Sequence, residues 1–125
     1  MTEGPSIPAG IWRSVYTYEF PGQGELKDER DVTLHLSGSG ALIASLPGDP
    51  SELEVYLVVS GRTLDGAWRE RTDPDGRDGG ATFSGAVQFI LGEDGRSMSG
   101  QRVDLSRDMP GADTGTWTLT FRSSR

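Results

Sequence analysis

The sequence predicts an all-β protein, an antiparallel up-and-down barrel of eight strands. Three observations predict it. Apolar and aromatic residues recur at a period of two in one segment after another. Short runs of Gly, Pro, Asp and Ser separate the segments. No window keeps an apolar stripe at the 3.6-residue period of a helix, and glycines break nearly every candidate.

The elements follow in order. Trp12, Ser14, Tyr16, Tyr18 and Phe20 share one face of the first strand, and Ile11, Arg13, Val15, Thr17 and Glu19 share the other. Pro21-Gly22-Gln23-Gly24 ends it. Val32, Leu34 and Leu36 then alternate with Asp31, Thr33 and His35, which turns His35 outward. Gly38-Ser39-Gly40 breaks this run, and Leu42, Ala44 and Leu46 alternate after it. Pro47-Gly48-Asp49-Pro50 is a polar break before the cleanest alternation in the chain, Leu53, Val55, Leu57 and Val59. Gly61-Arg62 reads as a two-residue hairpin turn. The next strand spans 63–72, with Leu64, Gly66, Trp68 and Glu70 on one face. A polar loop over 73–80 leads to Phe83, Gly85, Val87, Phe89 and Leu91. Gly92-Glu93-Asp94-Gly95 is a tight turn. Met98, Gly100 and Arg102 share a face of the seventh strand. A loop over about 104–114 contains Met109-Pro110-Gly111, and the last strand carries Trp117, Leu119 and Phe121.

Two architectures bury such faces, a closed barrel and a sandwich of two sheets. The turns look local and sequential, with no long crossover, which favours the barrel. Glycines on the apolar faces (Gly66, Gly85, Gly100) fit a barrel bend or space left inside. The organisation expected is a flexible arm over 1–9, one barrel domain over 10–122 and a polar tail over 123–125.

Composition narrows the function. The chain has 125 residues, no Cys, one His and a net charge of −7. Absence of Cys excludes disulfides, thiolate metal sites and a cysteine nucleophile. A single His leaves little for a metal site, and no metal or cofactor is expected. The acidic balance argues against a nucleic-acid partner, which needs a basic patch. No apolar run approaches the roughly 20 residues of a membrane helix, and no signal-like segment follows Met1. The expectation is a cytoplasmic protein with no membrane partner, and a homodimer is compatible with it. Eleven of twelve basic residues are Arg, which fits a GC-rich, actinobacterial-type genome.

Several segments resemble a known family. They are Gly10-Ile11-Trp12-Arg13-Ser14-Val15-Tyr16-Thr17-Tyr18, Leu64-Asp65-Gly66-Ala67-Trp68-Arg69-Glu70-Arg71-Thr72 followed by Pro74 and Gly76, Gly80-Ala81-Thr82-Phe83-Ser84-Gly85-Ala86-Val87-Gln88, and Asp113-Thr114-Gly115-Thr116-Trp117-Thr118-Leu119. In order and spacing they resemble the lipocalin-like C-terminal domain of actinobacterial helix-turn-helix regulators, over most of the chain. The Gly-x-Trp-x-Glu-Arg-Thr block is the most specific part. Three departures stand out. The chain carries no helix-turn-helix segment. It has Asp78-Gly79-Gly80 where the family usually has Tyr-Arg-Gly. It has Gln101-Arg102-Val103-Asp104-Leu105 where the family usually has a Trp and further aromatic residues. The resemblance implies a lipocalin/calycin-like barrel with a binding role and supplies no catalytic residue.

Glu70 shares its parity with Leu64, Gly66 and Trp68. It is either an inward carboxylate that anchors a ligand or serves as acid/base, or a solvated group at a strand end. Arg102 is either inward, with Glu70 as its natural partner, or turned out by a bulge near Gly100 that brings Val103 and Leu105 inward. Trp12, Tyr16, Tyr18, Trp68, Phe83, Phe89 and Trp117 form an aromatic set on the inner faces, as a pocket wall or as plain core. Asp73-x-Asp75-Gly76 with Asp78 lacks the later bidentate Glu of a calcium loop and reads as a turn.

Three functions follow from this reading. The first is binding of a small apolar, aromatic or polyene-like molecule inside the barrel, in a sensory or carrier role. The second is a cyclase or isomerase of secondary metabolism, which folds its substrate in the same pocket with Glu70, Tyr16, Tyr18 and Arg102 as polar contributors. The third is a protein-interaction barrel with a packed interior.

Overall fold

The structure, a computed structural model, describes residues 6–20, 24–76, 79–105 and 114–124. Eight strands run in chain order: β1 (Gly10–Phe20), β2 (Gly24–Ser37), β3 (Gly40–Ser45), β4 (Glu52–Ser60), β5 (Thr63–Arg71), β6 (Thr82–Leu91), β7 (Ser97–Asp104) and β8 (Thr114–Ser123). Each pairs antiparallel with the next, and β1 pairs with β8, so the sheet closes into a barrel with no free edge. Among the described residues no helix is long and apolar enough to cross a membrane.

The barrel has two unlike ends. The β2–β3, β4–β5 and β6–β7 connections are tight turns and lie together with the start of β1; this is the turn end. The other four connections lie at the opposite, loop end.

Period two puts Trp12, Val32, Leu34, Ile43, Val55, Leu64, Phe89, Leu91 and Leu119 wholly inside. Each such side chain contributes roughly 1.5–3 kcal/mol on burial, so the core accounts for closure of the barrel. All three indole N–H groups have acceptors. Trp12 donates to the Pro8 carbonyl at 2.9 Å, Trp117 to Ser14 Oγ at 2.8 Å and Trp68 to the Val103 carbonyl at 3.2 Å. The tryptophans can therefore be buried without an orphaned donor.

The inward glycines have a definite cause. A Cβ on Gly66, Gly85 or Gly100 would stand 1.7 Å from a carbonyl oxygen of the neighbouring strand. The strand pairs coil too tightly there for any side chain. Such close backbone approach fits the reading of a barrel bend and not that of space left inside.

Three expectations need correction. On β3 the inward residues are Ala41 and Ile43, with Leu42 on the outer parity. The reason is register: the turn at 38–39 pairs Leu36 with Ala41 and His35 with Leu42, and paired residues share a face. His35 is exposed as expected. Leu36, though on the inward parity, is 47% exposed because it lies beyond the filled core at the turn end. β2 begins well before Val32, so the charged run 27–30, to which alternation assigns no element, is also strand. Of the arm expected over 1–9, Ile7 is buried in the core cluster and Pro8 holds Trp12, so this part is packed. Residues 1–5, the turn 21–23, Asp78 of the calcium-like turn, Met109-Pro110-Gly111 and the Phe20 side chain lie outside the described residues.

Candidate functional site

The loop-end half of the interior is polar and charged. β5 brings Glu70 to the inner face beside Trp68, and the residue is 6% exposed. The solvated strand-end reading of Glu70 is therefore replaced by burial. β7 runs in unbroken register through Gly100↔Trp117 and Arg102↔Gly115. No bulge flips it. Arg102 points inward and is 9% exposed, while Leu105 is exposed.

Glu70 is held by two arginines. Arg30 Nη2 donates to Glu70 Oε2, and Arg102 Nη2 lies 3.8 Å from Oε1. Arg30 is otherwise well provided. Its Nη2 donates to Asp28 at 2.9 Å and its Nη1 to Ser51 Oγ at 2.8 Å, with Asp49 at 3.9 Å. Ser51 Oγ in turn donates to Asp49 at 3.0 Å. Burial works against the charge on Arg30, but Glu70 and Asp28 outweigh it. Its guanidinium is held above the ordinary arginine value.

Arg102 is placed differently. Its guanidinium carbon lies 3.4 Å from the centroid of the Tyr16 ring, 4.2 Å from that of Trp68 and 4.9 Å from that of Trp117. These are close cation–π distances on three sides. Its Nε is buried with no hydrogen-bond partner. Tyr16 is itself stacked on Tyr18 at 5.2 Å. The missing side chain of Gly115 admits this ring, since a Cβ there would come within 2.2 Å of Tyr16 Cε1.

The sequence-derived candidates thus divide. Tyr16, Trp68, Glu70, Arg102 and Trp117 come together around one charged centre, with Tyr18 stacked on Tyr16. Phe83 is partly buried and pairs with Glu70 across β5 and β6. Trp12 meets Phe121 at 5.8 Å and is turn-end core. Phe89 packs on Trp117 at 5.4 Å beneath the charged group.

Sequence reasoning missed Arg30, Asp28, Asp49, Ser51 and the buried Asp104. A signal existed for three of them: the parity of Leu34 and Val32 continues backwards to Arg30 and Asp28. Asp104 likewise continues the parity of Arg102. Among the described residues no group of three or more acidic or His side chains is arranged to hold a metal ion. No protein-family model and no curated protein sequence matches the chain.

Proposed function

We propose that this protein binds a small, flat, largely apolar molecule in the loop-end half of its barrel, in a sensory or carrier role. The observation that carries this reading is the Arg30–Glu70–Arg102 group, with Glu70 and Arg102 buried and Arg30 partly buried, and with three aromatic rings around Arg102. A buried ion group is poor support for a fold, because hydrophobic replacements of similar volume are often as stable or more so. Aromatic walls with a few converging polar groups are the usual make-up of a small-molecule site. The resemblance to a lipocalin-like regulatory domain agrees with this role.

The test is a thermal-shift screen against apolar polycyclic and polyene compounds, with native mass spectrometry of the protein as purified. A ligand that binds only the folded state at a hundred times its Kd stabilises it by about 2.7 kcal/mol. The expected result is a raised midpoint for at least one planar compound, or a copurified small molecule. A flat response across the panel with no retained mass overturns the reading.

A further inference from the structure

We infer that the ligand of this interior carries an oxygen anion, a carboxylate or its equivalent, next to its planar apolar body, and that Arg102 reads it. This rests on the binding role proposed above and names the ligand's chemical class. The starting point is an imbalance between the two arginines. Arg30 spends its donors on Glu70, Asp28 and Ser51. Glu70 Oε2 is committed to Arg30, and Oε1 is 3.8 Å from Arg102 Nη2, an ion-pair separation longer than a hydrogen bond. Asp104, the next inward residue on β7, is buried but leaves Arg102 Nε without an acceptor.

A guanidinium has five N–H donors in one plane and accepts nothing. In Arg102 the rings of Tyr16, Trp68 and Trp117 crowd the guanidinium. Ring faces satisfy its charge but not its N–H groups, which want oxygen lone pairs. Buried N–H groups of this kind are rare in folded proteins. Nε–H together with a terminal N–H forms the side-on fork that takes both oxygens of a carboxylate. The rings beside it suit a conjugated or aromatic body adjoining that head. The net charge of −7 repels free anions, so a local cation with an unused donor is what lets the interior select an acid.

The test uses two matched pairs of probes: cis-parinaric acid with its methyl ester, and a naphthalene carboxylic acid with its methyl ester. Binding to the full chain is followed by probe fluorescence and by calorimetry. For at least one pair, wild type is expected to prefer the acid by about tenfold or more. Arg102→Met is expected to erase that preference while ester binding persists. Arg102→Lys, which keeps the charge but lacks the fork, is expected to fall between. Equal binding of acid and ester by wild type overturns the inference and leaves the apolar-interior reading standing. Binding of none of the four probes overturns both. Should Arg102→Met not fold, Arg102→Lys and the wild-type acid-to-ester ratio still decide.

Discussion

Toward the turn end the interior of this barrel is Trp12, Leu34, Leu57, Leu64, Phe89, Leu91, Met98 and Leu119. Toward the loop end it is Arg30, Glu70, Arg102 and Asp104 among Tyr16, Trp68 and Trp117. The two halves share strands, parity and closure. They differ in what burial does for them. In the first half, taking side chains from water is the driving force of folding. In the second half, taking charges from water opposes folding, and only close pairing offsets it. The turn end is accounted for by stability alone. The loop end is not, which is why the proposed binding site is placed there.

The sharpest way to break this comparison is to damage each half and read stability and binding separately. Phe89→Ala removes a wholly buried ring that packs on Trp117. It is expected to cost about 3–5 kcal/mol in urea unfolding. Glu70→Ala is expected to cost a similar amount, about 3–5 kcal/mol, because it leaves Arg30 and Arg102 without their shared counter-charge. The halves part company when the whole group is made apolar. The triple change Arg30→Met, Glu70→Leu, Arg102→Met is expected to be neutral or to stabilise by about 1–4 kcal/mol, and to lose ligand binding. A triple variant as unstable as Glu70→Ala would show the charged group to be structural and would remove the contrast between the ends.

A smaller effect tests how the two halves meet. Gly115 faces Arg102 across β7 and β8, and the space it leaves is filled by the Tyr16 ring. A Cβ there would also meet the Thr17 carbonyl oxygen at 2.5 Å, so Gly115→Ala is expected to displace the ring, to strain the β1–β8 pairing and to cost about 1–3 kcal/mol as overpacking. Its sharper signature is in binding. Affinity for a planar ligand is expected to fall more than stability does, since one of the three rings around Arg102 moves. Unchanged binding would mean that Tyr16 is core and not wall.

Much of this arrangement was legible in the residues. The barrel and its order follow from period two and from short, sequential connections, two of them two-residue turns, which favour pairing of each strand with the next. Parity offers Glu70 and Arg102 as inward partners while leaving a solvated Glu70 and an outward Arg102 open, because two things cannot be read from the chain. Burial at a strand end depends on how far the neighbouring strands extend past it, which alternation does not encode. Whether Gly100 marked a bulge depended on the β7–β8 register, which no local signal specifies. Arg30 was missed for another reason. In 27–31 charged residues occupy both faces, so the run looks like a solvated segment until Val32 and Leu34 are extended backwards. The faces of β3 were misjudged because Leu42 looks more like core than Ala41. Pairing across the turn at 38–39, not hydrophobicity, decided it.

The smallest expected effect lies outside the barrel and sets the scale for the charges within. Arg13, on the outer face of β1, donates to Glu29 at 2.9 Å and to Asp31 at 3.4 Å across β2. The hydrogen bond from Arg13, with help from Lys27, holds the Glu29 carboxyl below its ordinary value. A carboxylate whose folded value is lowered stabilises the protein above its unfolded value and loses that contribution as pH falls through the folded one. The sign is therefore loss on acidification. Both partners stand in water, where such pairs contribute little and salt screens them. Glu29→Gln is expected to leave the melting midpoint at neutral pH within experimental scatter, and to flatten slightly its decline on the acid side. High salt is expected to do the same to wild type. Glu70 bears the same charge as Glu29, pairs with arginine in the same way and lies on the opposite face of the same sheet. If Glu29→Gln proved as damaging as Glu70→Ala, burial would not be what separates the two pairs, and the charged interior would lose its claim to be a costly and purposeful one.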